Sequence, residues 1–189
     1  MPEEGGKNVQ NQWLIRLASD SDYEHMARVH VDSWRTTYKG IVPDHFLAEL
    51  SYETSEARWR RISEQSGPDY ALLVAENKDG QIVGFANGGR ERSGDTLYDG
   101  ELYAIYLVES HQRQGIGRGL FQRIVRHLVE TSRHSMLIWV LADNPACRFY
   151  ESMGGVPIME QAVEIGGKHL REIGYGWTDV RTTSDCCTI

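Results

Sequence analysis

Cysteine is nearly missing from this chain. Three occur in 189 residues, two of them adjacent at Cys186 and Cys187, which gives neither a disulfide framework nor a zinc-ligand spacing. Long apolar runs are missing as well. No stretch is long enough to span a membrane, and positions 1–12 are polar, without the apolar region of a signal peptide. The expected location is therefore cytoplasmic. Positive charge is in short supply: 20 Lys and Arg stand against 27 Asp and Glu, for a net charge of −7, which argues against nonspecific nucleic-acid binding. Nothing repeats internally. What is present is ordinary for a compact protein, with 40% hydrophobic and 25% charged residues in a length that suits one domain with a proper core. We expect that domain over 13–179, between a polar extension at 1–12 and a polar, aperiodic tail at 180–189. The final Cys186-Cys187-Thr188-Ile189 has the outline of a prenylation box, but its middle positions are poorly aliphatic and the match is read as chance.

The chain is organised around Leu102-Tyr103-Ala104-Ile105-Tyr106-Leu107-Val108, an apolar and aromatic run that reads as a well-buried strand. Gly115, Gly117 and Gly119 follow in a tight turn. A helix comes next, with Leu120, Ile124 and Leu128 recurring every four residues beside Phe121 and Val125. Strand, glycine turn and helix expose backbone N–H groups at a helix N-terminus, and the missing Cβ atoms let a phosphate approach. The stretch is an anion cradle suited to a pyrophosphate. Its sixth position is Leu120 rather than Gly or Ala, which departs from a dinucleotide fingerprint, and no Gly-Lys-Ser/Thr follows, which excludes a Walker loop.

Taken in order, Trp13 to Leu17 reads as a first strand, and a helix is expected from about Ser21 towards Tyr38. Pro43 starts a second helix, and a third runs over about Tyr52 to Ile62. Strands are expected at about Tyr70 to Glu76 and Ile82 to Arg90, joined by the turn signal Asn77-Lys78-Asp79-Gly80. The central strand covers about Gly100 to Val108, and six consecutive apolar residues, Met136 to Leu141, suit a parallel neighbour. Asp143-Asn144-Pro145 caps a short helix carrying Phe149 and Tyr150, and strands at about Val156 to Ile165 and Lys168 to Trp177 turn at Gly166-Gly167.

Two motifs fix a family resemblance. Gln112-Arg113-Gln114-Gly115-Ile116-Gly117 resembles the Gln/Arg-x-x-Gly-x-Gly/Ala signature of the GNAT acyl-CoA N-acyltransferases. The run from Asp143 to Gly155, with Asn144, Ala146, Phe149-Tyr150 and Gly154, looks like the second motif of that superfamily, in the right order and about one helix plus one strand away. The resemblance covers Trp13 to Trp177. It implies an α/β (α+β) fold whose central mixed, mostly antiparallel twisted sheet of about seven strands is splayed between two parallel central strands and flanked by helices.

The resemblance also implies roles. Acetyl-CoA, the co-substrate, would lie against Tyr106, Leu107, Val108, Gln112, Arg113, Gln114, Gly115, Ile116, Gly117, Arg118, Gly119 and Asn144. Many family members place the motif's Asn seven residues before the tyrosine, where this chain has Asp143, so either Asp143 or Asn144 can fill that role. Glu101, fourteen residues before Gly115, aligns with a glutamate that several members use as general base, and Tyr150 matches the general acid. Each also has a plain reading, as a solvated strand end and as a core tyrosine. Trp34 and Tyr38, in the helical block near Trp59 and Asp32, would line the acceptor, and the negative charge is compatible with a cationic one. Cys147 has no identifiable base partner and reads as a small helix residue.

The implied reaction is direct transfer from acetyl-CoA to the primary amine of a small molecule, with no metal. A backbone N–H near Leu107 would polarise the thioester carbonyl. A peptide or protein amine is the alternative acceptor, and a non-catalytic acyl-CoA-binding module is the alternative class. No nucleic-acid or membrane partner is expected, and the chain is expected to be a monomer or homodimer.

Overall fold

The computed structural model describes residues 13–184. The extension at 1–12 and the Cys186-Cys187 pair lie outside them. Seven strands form one sheet in the order β1-β2-β3-β4-β5-β7-β6. They are β1 (Trp13–Leu17), β2 (Ala71–Asn77), β3 (Ile82–Arg90), β4 (Gly100–Leu107), β5 (Met136–Leu141), β6 (Val156–Ile165) and β7 (Lys168–Trp177). All neighbours run antiparallel except β4 and β5. The mixed, centrally parallel sheet expected from the sequence is thus present, and so is the interruption at its middle. β4 and β5 pair only at Gly100 with Met136 and Glu101 with Leu137. Beyond these two pairs the strands part.

The helices are α1 (Tyr23–Thr37), α2 (Asp44–Glu49), α3 (Tyr52–Gln65), α4 (Ile116–Glu130), α5 (Cys147–Ser152) and α6 (Arg181–Ser184). α4 lays Leu120, Phe121, Ile124, Val125 and Leu128, all wholly buried, against one sheet face, the apolar stripe read from the sequence. On the other face α1 and α3 bury Tyr23, Met26, Val29 and Trp59 over Leu72, Val74 and Phe85. α1 begins two residues later than expected, because Asp20–Asp22 forms a 3-10 turn. Asp22 is held there by Arg16 at 2.7 and 2.9 Å, a pairing that lowers the aspartate to about 2. Ser51 Oγ accepts from Thr54 N–H and caps α3.

One expectation needs correction. The segment after Asp179 is not wholly a tail: Val180 is fully buried in the main core, its N–H donates to His134 O at 2.7 Å, and α6 follows. A single apolar residue among polar ones carries no periodic signal, so composition alone misses it.

Candidate active site

The parting of β4 from β5 opens a cleft of about 880 Å³. Its floor is β4, one end is the start of α4, and Asn144 to Tyr150 closes the far side. Gly115 sits at φ 84°, the left-handed conformation that glycine adopts without strain, and turns the chain into α4. The first helical bond runs from Gly119 N–H to Gly115 O at 2.9 Å. The N–H groups of Ile116, Gly117 and Arg118 therefore lack a helix partner, at the positive end of a fifteen-residue helix. A Cβ placed on Gly117 would meet only the Phe149 ring, at 3.8 Å. This is room for a phosphate, and it fits the pyrophosphate of an acyl-CoA.

Of the residues assigned to the acyl donor, Tyr106, Leu107, Gln112, Arg113, Gly115, Gly117, Arg118 and Asn144 line the cleft. Four do not. Gln114 donates to Ser110 O and accepts from Trp13 Nε1, and Ile116 turns its side chain into the core. A Cβ on Gly119 would stand 2.8 Å from Trp13 and Ile15, so this glycine is a packing residue facing β1. Val108 donates its N–H to Val83 O and accepts from His111 N–H, so both its backbone groups are engaged. Strand alternation then turns the backbone of Leu107 towards the cleft, where its carbonyl accepts from Gln112 Nε2 at 3.3 Å.

Asn144 rather than Asp143 faces the cleft. It is buried, accepts from Ala146 N–H, and donates to the Tyr38 hydroxyl at 3.2 Å, while Asp143 is exposed. Tyr150 is 5% exposed, lines the cleft, and its hydroxyl has no hydrogen-bond partner among the described residues. Burial raises this phenol above the ordinary tyrosine range, with Tyr106 and Cys147 adding to the effect. It stays protonated at neutral pH. Burial likewise raises the Cys147 thiol, which suits its reading as a packing residue.

A second cavity, of about 530 Å³, opens on the α1/α3 side and shares Tyr106 with the cleft. A bulge shapes it: Asn87 pairs with Ala104 and Gly88 with Leu102, leaving Tyr103 as the extra residue. Tyr103 and Ala104, adjacent in sequence, both line this cavity as a result. The two residues assigned to the acceptor are not in its wall. Trp34 donates to the Tyr106 hydroxyl at 3.0 Å, Tyr38 lines the cleft between β4 and β5, and Asp32 accepts from Tyr52 on the exposed surface. The wall instead holds His30, Arg58, Trp59, Tyr70, Asn87 and Arg92. Of these only Trp59 was singled out in the sequence, within the helical block; a polar Asn87 inside the apolar run of β3 is a further signal that could have been read. His30, whose Nδ1 meets Ser55 Oγ at 2.8 Å, is lowered to about 4 by burial and by the Arg58 cation.

Glu101 lies at the last paired position before the parting and is 4% exposed. Arg92 engages both its oxygens, Nε with Oε2 at 3.0 Å and Nη2 with Oε1 at 2.5 Å, and the Arg92 backbone N–H also reaches Oε2. The guanidinium stacks on Tyr103 at 3.8 Å.

A family model described as FR47-like protein matches residues 95–163, from before β4 into β6. An uncharacterized N-acetyltransferase, YuaI of Bacillus subtilis, is 41% identical over 166 residues, 88% of this chain and 93% of that protein. The L-amino acid N-acyltransferase MnaT of Escherichia coli is 27% identical over 111 residues, 59% of this chain and 61% of that protein. Among solved structures, yncA of Salmonella typhimurium, determined with acetyl-CoA, superposes with a TM-score of 0.66 at 22% identity, covering 88% of this chain and 94% of the other. The paia N-acetyltransferase of Thermoplasma acidophilum, in complex with coenzyme A, gives 0.62 at 19% identity, covering 87% and 99%. With a relative this similar along nearly its whole length, and with the splayed seven-stranded sheet, the chain belongs to the GNAT superfamily and is an N-acetyltransferase of that type.

Proposed function

We propose that the chain transfers the acetyl group of acetyl-CoA to the primary amine of a small molecule by direct attack. The observation that carries this reading is the pair of cavities meeting at Tyr106. One has the phosphate-sized end that an acyl-CoA needs. The other, at about 530 Å³, falls within the range of small-ligand sites.

When bound, acetyl-CoA supplies an acyl carbon already activated as a thioester. The free N–H groups at the start of α4 hold the pyrophosphate. Leu107 N–H, facing the seam, donates to the carbonyl oxygen and stabilises the charge that develops there. Glu101 accepts the proton that an ammonium must lose before its nitrogen attacks, directly or through a water. Tyr150 donates its proton towards the sulfur as the carbon–sulfur bond breaks. A raised phenol is a weak acid but a fully protonated one, so its help is a hydrogen bond that completes late in the transfer. Asn144 and Tyr38 hold one another at the far wall of the cleft.

The test is release of CoA thiol from acetyl-CoA against amines, polyamines, aminoglycosides, amino acids and peptides. Release dependent on a small amine supports the reading. Release with peptide or protein amines alone overturns it.

A further inference from the structure

The acceptor cavity runs against the charge of the molecule. In a chain with 27 acidic and 20 basic residues, Arg58 and Arg90 both line it, and neither has an acidic partner among the described residues. The one acid in its wall, Asp69, is paired with Arg133 at 2.7 Å. The Trp59 indole N–H and Asn87 Oδ1 also lack a hydrogen-bond partner among the described residues, but both atoms are closed off within the wall. The two guanidiniums that line the cavity without an acid ask for an anion. An acceptor amine that carries its own anion answers them.

Arg92 links this cavity to the base. Its side chain is 60% exposed, it lines the cavity, and its Nη1 makes no hydrogen bond among the described residues, while Nε and Nη2 engage Glu101. A carboxylate whose two oxygens are held by a guanidinium is poorly placed to take up an ammonium proton. A second carboxylate arriving in the cavity offers Arg92 an equivalent partner, and the buried Glu101 it leaves is compensated when it takes up the ammonium proton. A plain amine offers none.

We propose that the acceptor is a small amine that also carries a carboxylate, and that this carboxylate draws Arg92 from Glu101 and so frees the base. The proposal rests on the transfer reaction above and replaces the cationic acceptor that net charge alone favours. Arg92 then binds the acceptor and, by leaving Glu101, sets the state of the base.

The experiment compares L-amino acids with their carboxamides, which keep the amine and lose the anion, as acceptors for the full chain and acetyl-CoA. In the unaltered protein the acids should exceed the carboxamides in kcat/KM by at least about a hundredfold, as expected when buried polar groups are left unpaired. Arg92→Gln should raise KM for the acids yet raise kcat for the carboxamides, compressing the preference about tenfold or more and shifting the pH profile with the carboxamides. Arg58→Gln should raise KM for the acids alone. Carboxamides equal to acids in the unaltered protein would overturn the proposal. So would an Arg92→Gln loss that is the same for both acceptors with an unmoved pH profile. Calorimetry of the same acids and carboxamides in the presence of CoA separates the two readings. Binding that favours the acids, with no turnover, removes the transferase reading and keeps the cavity's preference; equal or absent binding removes the preference.

Discussion

The indole N–H of Trp34 donates to the Tyr106 hydroxyl at 3.0 Å, and Tyr106 is the residue common to both cavities. Trp34 touches neither ligand space itself. It fixes the partition between them from α1, with Tyr38 packed against it at 4.5 Å. Trp34→Phe keeps an aromatic side chain but removes the N–H and part of the packing area, which should cost about 1–3 kcal/mol of stability. Acetyl transfer should fall severalfold, and the loss should be non-additive with Tyr106→Phe. Simple additivity of the two in a double-mutant cycle would show that the bond does not position Tyr106.

Gly117 and Gly119 should separate binding from folding. Gly117→Val projects into the cleft with only Phe149 nearby, so CoA affinity should drop while the melting temperature holds. Gly119→Ala forces a Cβ to 2.8 Å from Trp13 and Ile15 and should destabilise by about 1–2 kcal/mol net of its better helix propensity. Calorimetry with CoA and thermal melts on both variants make the comparison. Undiminished affinity in a folded Gly117→Val protein would end the cradle assignment.

Tyr150→Phe deletes a hydroxyl that has no hydrogen-bond partner among the described residues, so stability should change little. Turnover should slow by about 10²–10⁴, the span of a positioned acid, with CoA affinity nearly unchanged. The defect should shrink with an aryl thioester donor, whose leaving group is already stable as an anion. An equal defect with both donors would remove Tyr150 from that role.

His30 makes folding pH-dependent. Its imidazole lies at about 4 in the fold against an ordinary 6.5, because burial and Arg58 disfavour the cation. The unfolded chain therefore binds the extra proton first as pH falls. Stability is complete above about 6.5 and declines towards 4, by on the order of 3 kcal/mol from this group. His30→Asn keeps a partner for Ser55 without the titration, and urea unfolding at pH 7 and 4.5 should show the dependence flattened. An unchanged pH slope would assign the loss to other groups.

Sequence patterning reached the sheet and much of the wall of the cleft because both rest on local signals. The apolar runs at Met136–Leu141 and Leu102–Leu107, the glycines before α4 and the Asn–Tyr spacing around α5 are short-range features. The second cavity has no such grammar. His30, Arg58, Asn87 and Arg92 come from α1, α3, β3 and the loop after it, and only the fold brings them to one wall. Trp34 and Tyr38 looked like an acceptor lining because both sit on α1; the helix turns them instead towards Tyr106 and Asn144. Val108 looked like a ligand-facing strand residue because its sequence gives no sign that the strand ends at Leu107.

An unpaired strand edge is ordinarily a hazard on a protein surface, where it recruits other chains. Here such an edge is kept indoors. Past Glu101 the backbone of β4 on its β5 side has no strand to close against, yet it lies between two packed leaves, β1 to β4 and β5 to β7. The enclosure that deprives this backbone of a partner strand also keeps other chains from reaching it, so an edge that would recruit neighbours on the outside is harmless within.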